Sequence, residues 1–278
     1  MLVALPERNI AMRIVDCHVH QRDEADAAEV LRDMDANGVD RILVCSPQER
    51  ASLETTREKL LVTKKLFDAA PDRISGLAWV EPTLPHVRDL AREALEDLGF
   101  VGIKIIPDHW YAYEERLEPF WQTMHELRAS ILFHTGILYG NEDGSRFCRP
   151  LWLEKLLHYP DIRFAMAHIS WPWCEECLAV MGRMRAAAGY DRGGWQSYVD
   201  LTRGTPPHIR EQALASAVSF CGPDRLMFGT DSRVPGGLAK QKEHIAIDLA
   251  IFEKLHLGEA ERERIMSGTA DEVFPAAR

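Results

Sequence analysis

Short runs of β-branched and apolar residues alternate with longer amphipathic stretches eight times along this chain. That alternation predicts β–α units, in which each strand is followed by a helix-length return and successive strands run parallel. The expected strands are Arg13 to His20, Arg41 to Ser46, Ile74 to Glu81, Phe100 to Ile106, Ser130 to Thr135, Ile162 to Ile169, Ser197 to Leu201 and Arg225 to Asp231. Helical periodicity covers Glu24 to Asn37, Ser52 to Ala70, Pro85 to Leu98, Glu115 to Ala129, Leu151 to His158, Trp173 to Ala188, Pro207 to Phe220 and Leu238 to Leu255. A last helix is expected over Gly258 to Val273. Gly38 suits the C-cap of the first helix, and Pro71 closes the second. Eight parallel strands in 278 residues match the size and count of a single (β/α)8 TIM barrel with a C-terminal extra helix, within the α/β class. A doubly wound sheet usually has fewer strands. No linker or low-complexity tract divides the chain, so residues 1–278 are expected to form one domain. Residues 107–114, 136–150, 189–196 and 232–237 follow strands and would form the loops of the active face.

Composition narrows the function. The formal charge of −10 argues against a nucleic acid or anionic membrane surface as partner, since no basic patch accompanies it. No apolar run approaches the ~18 residues of a membrane span. Residues 1–13 lack a basic leader followed by a full hydrophobic segment, so the chain reads as cytoplasmic. Six cysteines in a chain of this length form no dense disulfide framework, and reduced thiols are expected.

The polar residues that remain gather at strand ends. The first strand ends Asp16-Cys17-His18-Val19-His20, and side chains two apart on a strand share a face, so Asp16, His18 and His20 are expected to point into the barrel mouth. Cys17 would face the wall. His134 ends the fifth strand, His168 the sixth and Asp231 the eighth. Singly, a histidine beside an apolar strand is most often a hydrogen-bonded core residue. Jointly, these residues meet only in a closed barrel, where the first and eighth strands are neighbours. Neutral imidazoles and a carboxylate suit Zn, with Mn or Fe as alternatives.

With these residues in view, the chain resembles the amidohydrolase superfamily, and within it the amidohydrolase-related group that includes aminocarboxymuconate semialdehyde decarboxylase. The resemblance rests on D-C-H-V-H at Asp16 to His20, G-I-K at Gly102 to Lys104, F-H-T-G at Phe133 to Gly136, A-H-I-S at Ala167 to Ser170 and G-P-D-R-L-M-F-G-T-D at Gly222 to Asp231. It implies that His18, His20, His134 and Asp231 hold one divalent metal and that His168 stays off it. Asp231 would orient a water or take its proton, and His168 would polarise a carbonyl or shuttle the proton. Asp16 would support the ligands from behind. Lys104 either pairs with a carboxylate or substrate beside a single ion, or is carboxylated and bridges two. Three departures from the family pattern bear on substrate: Ile106 in place of a histidine, with His109 only after Pro107; Ser170-Trp171 after the sixth-strand histidine; and Ser232-Arg233 after Asp231.

Arg203 and Arg233, with Trp110, Tyr111, Trp171 and Trp173, are candidates for the pocket rim, a set suited to a small carboxylated substrate with a ring or conjugated chain. Exposed arginines and tryptophans also commonly pair with one another. Cys174 and Cys177 open a helix without a thioredoxin-like context and read as structural. His86, His125, His158, His208, His244 and His256 fall on helices or connections and receive no role. A metal-dependent hydrolase is the first reading, with a decarboxylase or hydratase as the alternative, towards which Arg50 after the second strand is a pointer. A barrel that binds metal or ligand without turnover is the third. The family resemblance is compatible with a homo-oligomer.

Overall fold

A computed structural model of the chain describes residues 12–140, 143–189 and 194–276. Parts of the expected loops at 136–150 and 189–196 lie outside the described residues.

Parallel strands β1 (Val15–Gln21), β2 (Arg41–Cys45), β3 (Ile74–Trp79), β4 (Gly102–Ile105), β5 (Ser130–Phe133), β6 (Arg163–Met166), β7 (Ser197–Asp200), β8 (Leu226–Met227) and β9 (Ser232–Val234) form one sheet. Its order is β8-β7-β6-β5-β4-β3-β2-β1-β9. The expected eighth strand is thus split. Its first part pairs with β7, and the segment expected as a loop after Asp231 contributes β9, which pairs with β1. Backbone bonds from Cys17 N–H to Phe228 O and from Asp231 N–H to His18 O, at 3.0 and 2.9 Å, bring β1 against the split strand and close the barrel.

The returns are α1 (Ala27–Asn37), α2 (Leu53–Asp68), α3 (Val87–Glu96), α4 (Glu118–Glu126), α5 (Cys174–Ala188), α6 (Pro207–Cys221) and α7 (Gln241–Lys254), followed by α8 (Glu259–Glu263) and α9 (Thr269–Val273). Gly38 adopts the left-handed conformation after α1, and Ser52 caps α2. Between β5 and β6 the expected helix is a 3-10 segment, Pro150–His158. The single last helix is interrupted by a π turn at Arg264–Gly268.

Strand alternation sorts the core into two layers. Outward residues such as Val19, Ile42, Val44, Ile103 and Phe133 pack beneath the helices. Inward residues, among them Val15, Leu43, Cys45, Leu77 and Leu132, fill the barrel and rest on Ala270, Val273 and Phe274 of the C-terminal segment. The interior is closed below and open above, at the strand C-termini.

Candidate metal centre at the barrel mouth

The β1–β2 register steps from Asp16 opposite Ile42 to Val19 opposite Val44, so three steps on β1 match two on β2. This is a β-bulge. It overturns the expected single row of Asp16, His18 and His20. Asp16 faces out, where it accepts from Gln241 Nε2 of α7 at 2.8 Å. It also accepts from the backbone N–H groups of His18 and Thr230 at 3.1 and 3.0 Å, tying together the chain beside both ends of the site. Burial pushes its carboxyl up to about 6 despite these bonds. Cys17, expected on the wall, joins the inward row. Beyond the bulge His18 and His20 turn inward, with His20 opposite Cys45.

The hydrogen bonds assign the ring nitrogens. His18 Nδ1 lies 2.7 Å from Asp200 Oδ2 at the end of β7, both groups fully buried. A carboxylate only accepts, so Nδ1 carries the proton and Nε2 the lone pair. That Nε2 is 3.0 Å from Lys104 Nζ and 3.0 Å from His20 Nε2. Asp231 Oδ1 sits 3.3 Å from His20 Nε2 and 3.9 Å from His18 Nε2. His168 Nδ1 donates to the carbonyl of Arg203 at 3.0 Å, so its Nε2 accepts from His134 Nδ1 at 3.3 Å. His134 Nε2 is then left with a lone pair, and it is buried without a partner among the described residues. The network thus spends the Nε2 lone pair of His168 inside the protein and leaves that of His134 free.

Electrostatics agree with neutral rings. Burial first, then the charge of Lys104, depresses His18 well below the ordinary histidine range. Burial and His168 do the same to His134. For Asp231 burial acts to raise the pKa, but the bond to His20 and the neighbouring imidazoles of His18 and His168 outweigh it and hold the carboxyl well below its usual range. Unprotonated imidazole nitrogens, an ionised carboxylate and an orphaned buried lone pair fit a divalent metal.

Backbone geometry places these groups. The sixth strand stops at Met166, so His168 lies in a turn rather than on a strand; His168, Ile169 and Ser170 have φ of 61°, 50° and 55°. Asp231 is also left-handed, at 57°, between β8 and β9. Thr202 Oγ1 meets His168 Nδ1 at 3.0 Å and holds the turn to β7.

A cavity of about 510 Å³ opens above, lined by His20, His134, His168, Asp231, Trp171, Arg203 and Arg233, with Arg22 and Gln48 among its other walls. Trp110 is not among them. The loop after β4 folds inward, burying Trp110 against Trp121 of α4 with ring centres 6.3 Å apart. Arg50 is also held elsewhere, giving two bonds to Asp108 at 3.0 and 2.7 Å. Lys104 has no carboxylate at ion-pair distance among the described residues; its contact is His18.

Sequence reasoning missed Asp200, Thr202, Cys45 and His244. Asp200 had a readable signal, an acid at the inner end of an apolar strand, where burial demands a partner. His244, set aside as a helix residue, has its Nε2 2.5 Å from Arg203 Nη1 and helps fix that side chain.

Residues 15–276 match the Amidohydrolase family, and the chain belongs to it. The family consists of metal-dependent enzymes. No match was found among curated protein sequences. The fold is shared with 5-carboxyvanillate decarboxylase from Sphingomonas paucimobilis, at a TM-score of 0.70 and 14% identity over 96% of this chain and 100% of that one. A 5-carboxyvanillate decarboxylase from Novosphingobium aromaticivorans with bound manganese gives 0.70 and 14% over 95% and 97%. A probable 2-pyrone-4,6-dicarboxylic acid hydrolase from Acinetobacter baumannii with citric acid bound gives 0.63 and 15% over 95% and 99%.

Proposed function

We propose that the protein is a hydrolase of a small carboxylated substrate, a lactone, amide or ester, with one divalent metal, zinc by preference, held by His18, His20, His134 and Asp231. The observation that carries this reading is the meeting of two proton carriers, Asp231 and His168, on one cavity whose rim bears Arg203 and Arg233. An ion bound there supplies Lewis-acid activation and water at neutral pH in nucleophilic form.

The remaining work falls to the chain. The Asp231 side chain is 39% exposed, so an ionised carboxylate reaches the mouth and accepts the proton of the attacking water. His168, its ring fixed through Nδ1 by the Arg203 carbonyl, gives up the His134 contact, takes a proton on Nε2 and passes it to the leaving group. Asp200 keeps His18 in one tautomer. Guanidinium forks of Arg203 and Arg233 hold the substrate carboxylate, and Trp171 closes one wall against its carbon frame. Lys104 adds a fixed positive charge beneath the site; in the two-ion alternative its Nζ would first be carboxylated.

The test is elemental analysis followed by a panel of carboxylated lactones, amides and unsaturated acids, with and without chelator. Hydrolysis without CO₂ release is expected. His18→Ala and His134→Ala should each lose bound metal and at least ~10³-fold in turnover. Full metal content in either variant would overturn the ligand assignment, and two ions per chain would favour a bridging Lys104. A decarboxylase is the second reading, favoured by the overlap with 5-carboxyvanillate decarboxylases. The engagement of Arg50 by Asp108 weighs against it, and CO₂ release would select it.

A further inference from the structure

We propose that Cys45 is a further ligand of the metal centre, a soft sulfur donor that biases the site towards zinc-like ions. This rests on the reading in which His18, His20, His134 and Asp231 hold the ion.

Cys45 is the last residue of β2, fully buried, and its Sγ and the ring nitrogens of His18 and His20 all lie within 4.8 Å of one another. Nitrogen and sulfur donors on one zinc ion lie roughly 3–4 Å apart, from bond lengths of about 2.0 and 2.3 Å, so small side-chain adjustments bring the sulfur in as a fifth protein donor. The bulge creates this meeting. Without it, the register that pairs Asp16 with Ile42 would set Val19 opposite Cys45 and turn both histidines towards the helices. With it, His20 stands opposite Cys45, and both histidines share the inward face with the thiol. The same displacement that builds the histidine pair therefore brings it to the sulfur.

A second observation points to an ion among these groups. His134 Nε2, on the ring that meets His168, is buried with no hydrogen-bond partner among the described residues. Such a lone pair is costly to bury unless an electrophile meets it. A buried cysteine otherwise behaves as a small apolar residue, and Cys45 does pack with Leu43 and Leu77 below. Its position at the top of that row sets the sulfur beside the ring nitrogens of His18 and His20. On ligation the Sγ proton passes to solvent and sulfur gives its electron pair to the ion, with no change of oxidation state. Thiolate favours zinc and cobalt over manganese, whose preferred donors are oxygens.

The experiment replaces the resident ion with Co²⁺ in the full chain and records the near-ultraviolet spectrum alongside cobalt content. Wild type at one cobalt per chain should show a thiolate-to-cobalt charge-transfer band. Cys45→Ala and Cys45→Ser should each keep one cobalt and lose the band, whereas Cys17→Ala, which removes the neighbouring inward thiol, should retain it. In competition between Zn²⁺ and Mn²⁺, Cys45→Ala should lower the preference for zinc by about tenfold or more. A wild-type protein holding one cobalt without the band, or a band surviving in both Cys45 variants, overturns the role of Cys45 and leaves the metal centre standing. Failure of wild type to bind cobalt or zinc overturns the centre itself.

Discussion

At the scale of single residues, the site depends on where lone pairs and protons are fixed. Asp200 and the Arg203 carbonyl each pin one imidazole, and every later assignment at His134 follows from those two acceptors. Gly204 protects this arrangement. A Cβ at that position would lie 2.7 Å from His168 Cβ and 3.0 Å from its Cγ, so the ring would have to move. Gly204→Ala should therefore reduce kcat on the order of 10²-fold, the cost of displacing a reacting group by about an ångström, while metal content stays unchanged. Steady-state kinetics with elemental analysis checks this, and an unchanged kcat would remove His168 from the reaction. The histidines and Asp231 were legible as chemistry because imidazoles and a carboxylate at strand ends have few structural uses. Asp16 and Cys17 were assigned to the wrong faces because a bulge has no signature in the run Asp16-Cys17-His18-Val19-His20. Only the pairing with β2 reveals it.

At the scale of elements, periodicity located the strands and most helices but could not see where hydrogen bonding ends them. β6 stops two residues before His168 because the turn is held by Thr202 and the Arg203 carbonyl, contacts from the segment after β7. The eighth strand is broken at Asp231 by a left-handed residue, which local propensity disfavours and the barrel rim imposes. Trp110 looked like a rim residue for the same reason, since the packing of its loop onto α4 is a tertiary outcome. The contact of α7 with the β7 loop gives a pH-dependent test. Burial first, then the charge of Arg203, lowers His244 from 6.5 to about 4. As pH falls below 6.5 the unfolded chain binds this proton and the folded chain does not, so stability is full above 6.5 and is lost as pH falls towards 4. The shift sets an upper limit of ~3 kcal/mol, and the polar surroundings of the mouth reduce it to ~1–2 kcal/mol. The difference in unfolding free energy between wild type and His244→Gln should shrink by that amount across this window. A difference independent of pH would mean that His244 is not held neutral.

At the scale of the whole molecule, the two ends of the barrel have separate tasks. The top carries the donors, while the bottom is sealed by the C-terminal segment, whose Ala270, Val273 and Phe274 support the inward row beneath Cys45. Arg41 fastens this seal. It is 1% exposed, gives Nε and Nη2 to Ser75 Oγ at 3.1 and 2.9 Å, gives Nη1 to Asp271 at 2.9 Å, and gives Nη2 to the Phe274 carbonyl at 2.7 Å. Removing one partner of such a cluster strands the others, which in buried settings costs about 3–5 kcal/mol. Asp271 is partly solvated and keeps Arg13 as a second partner, so Arg41→Ala should cost less, ~2–4 kcal/mol, read as a lowered urea midpoint. Conservation of the barrel's geometry above Leu43 and Leu77 predicts something further. At a temperature where the variant remains folded, its kcat and its metal content should match wild type, because stability is invested at the N-terminal face and chemistry at the C-terminal face. A fall in metal content in the folded variant would show instead that the seal and the metal centre form one cooperative unit, coupled through the inward row that Cys45 tops.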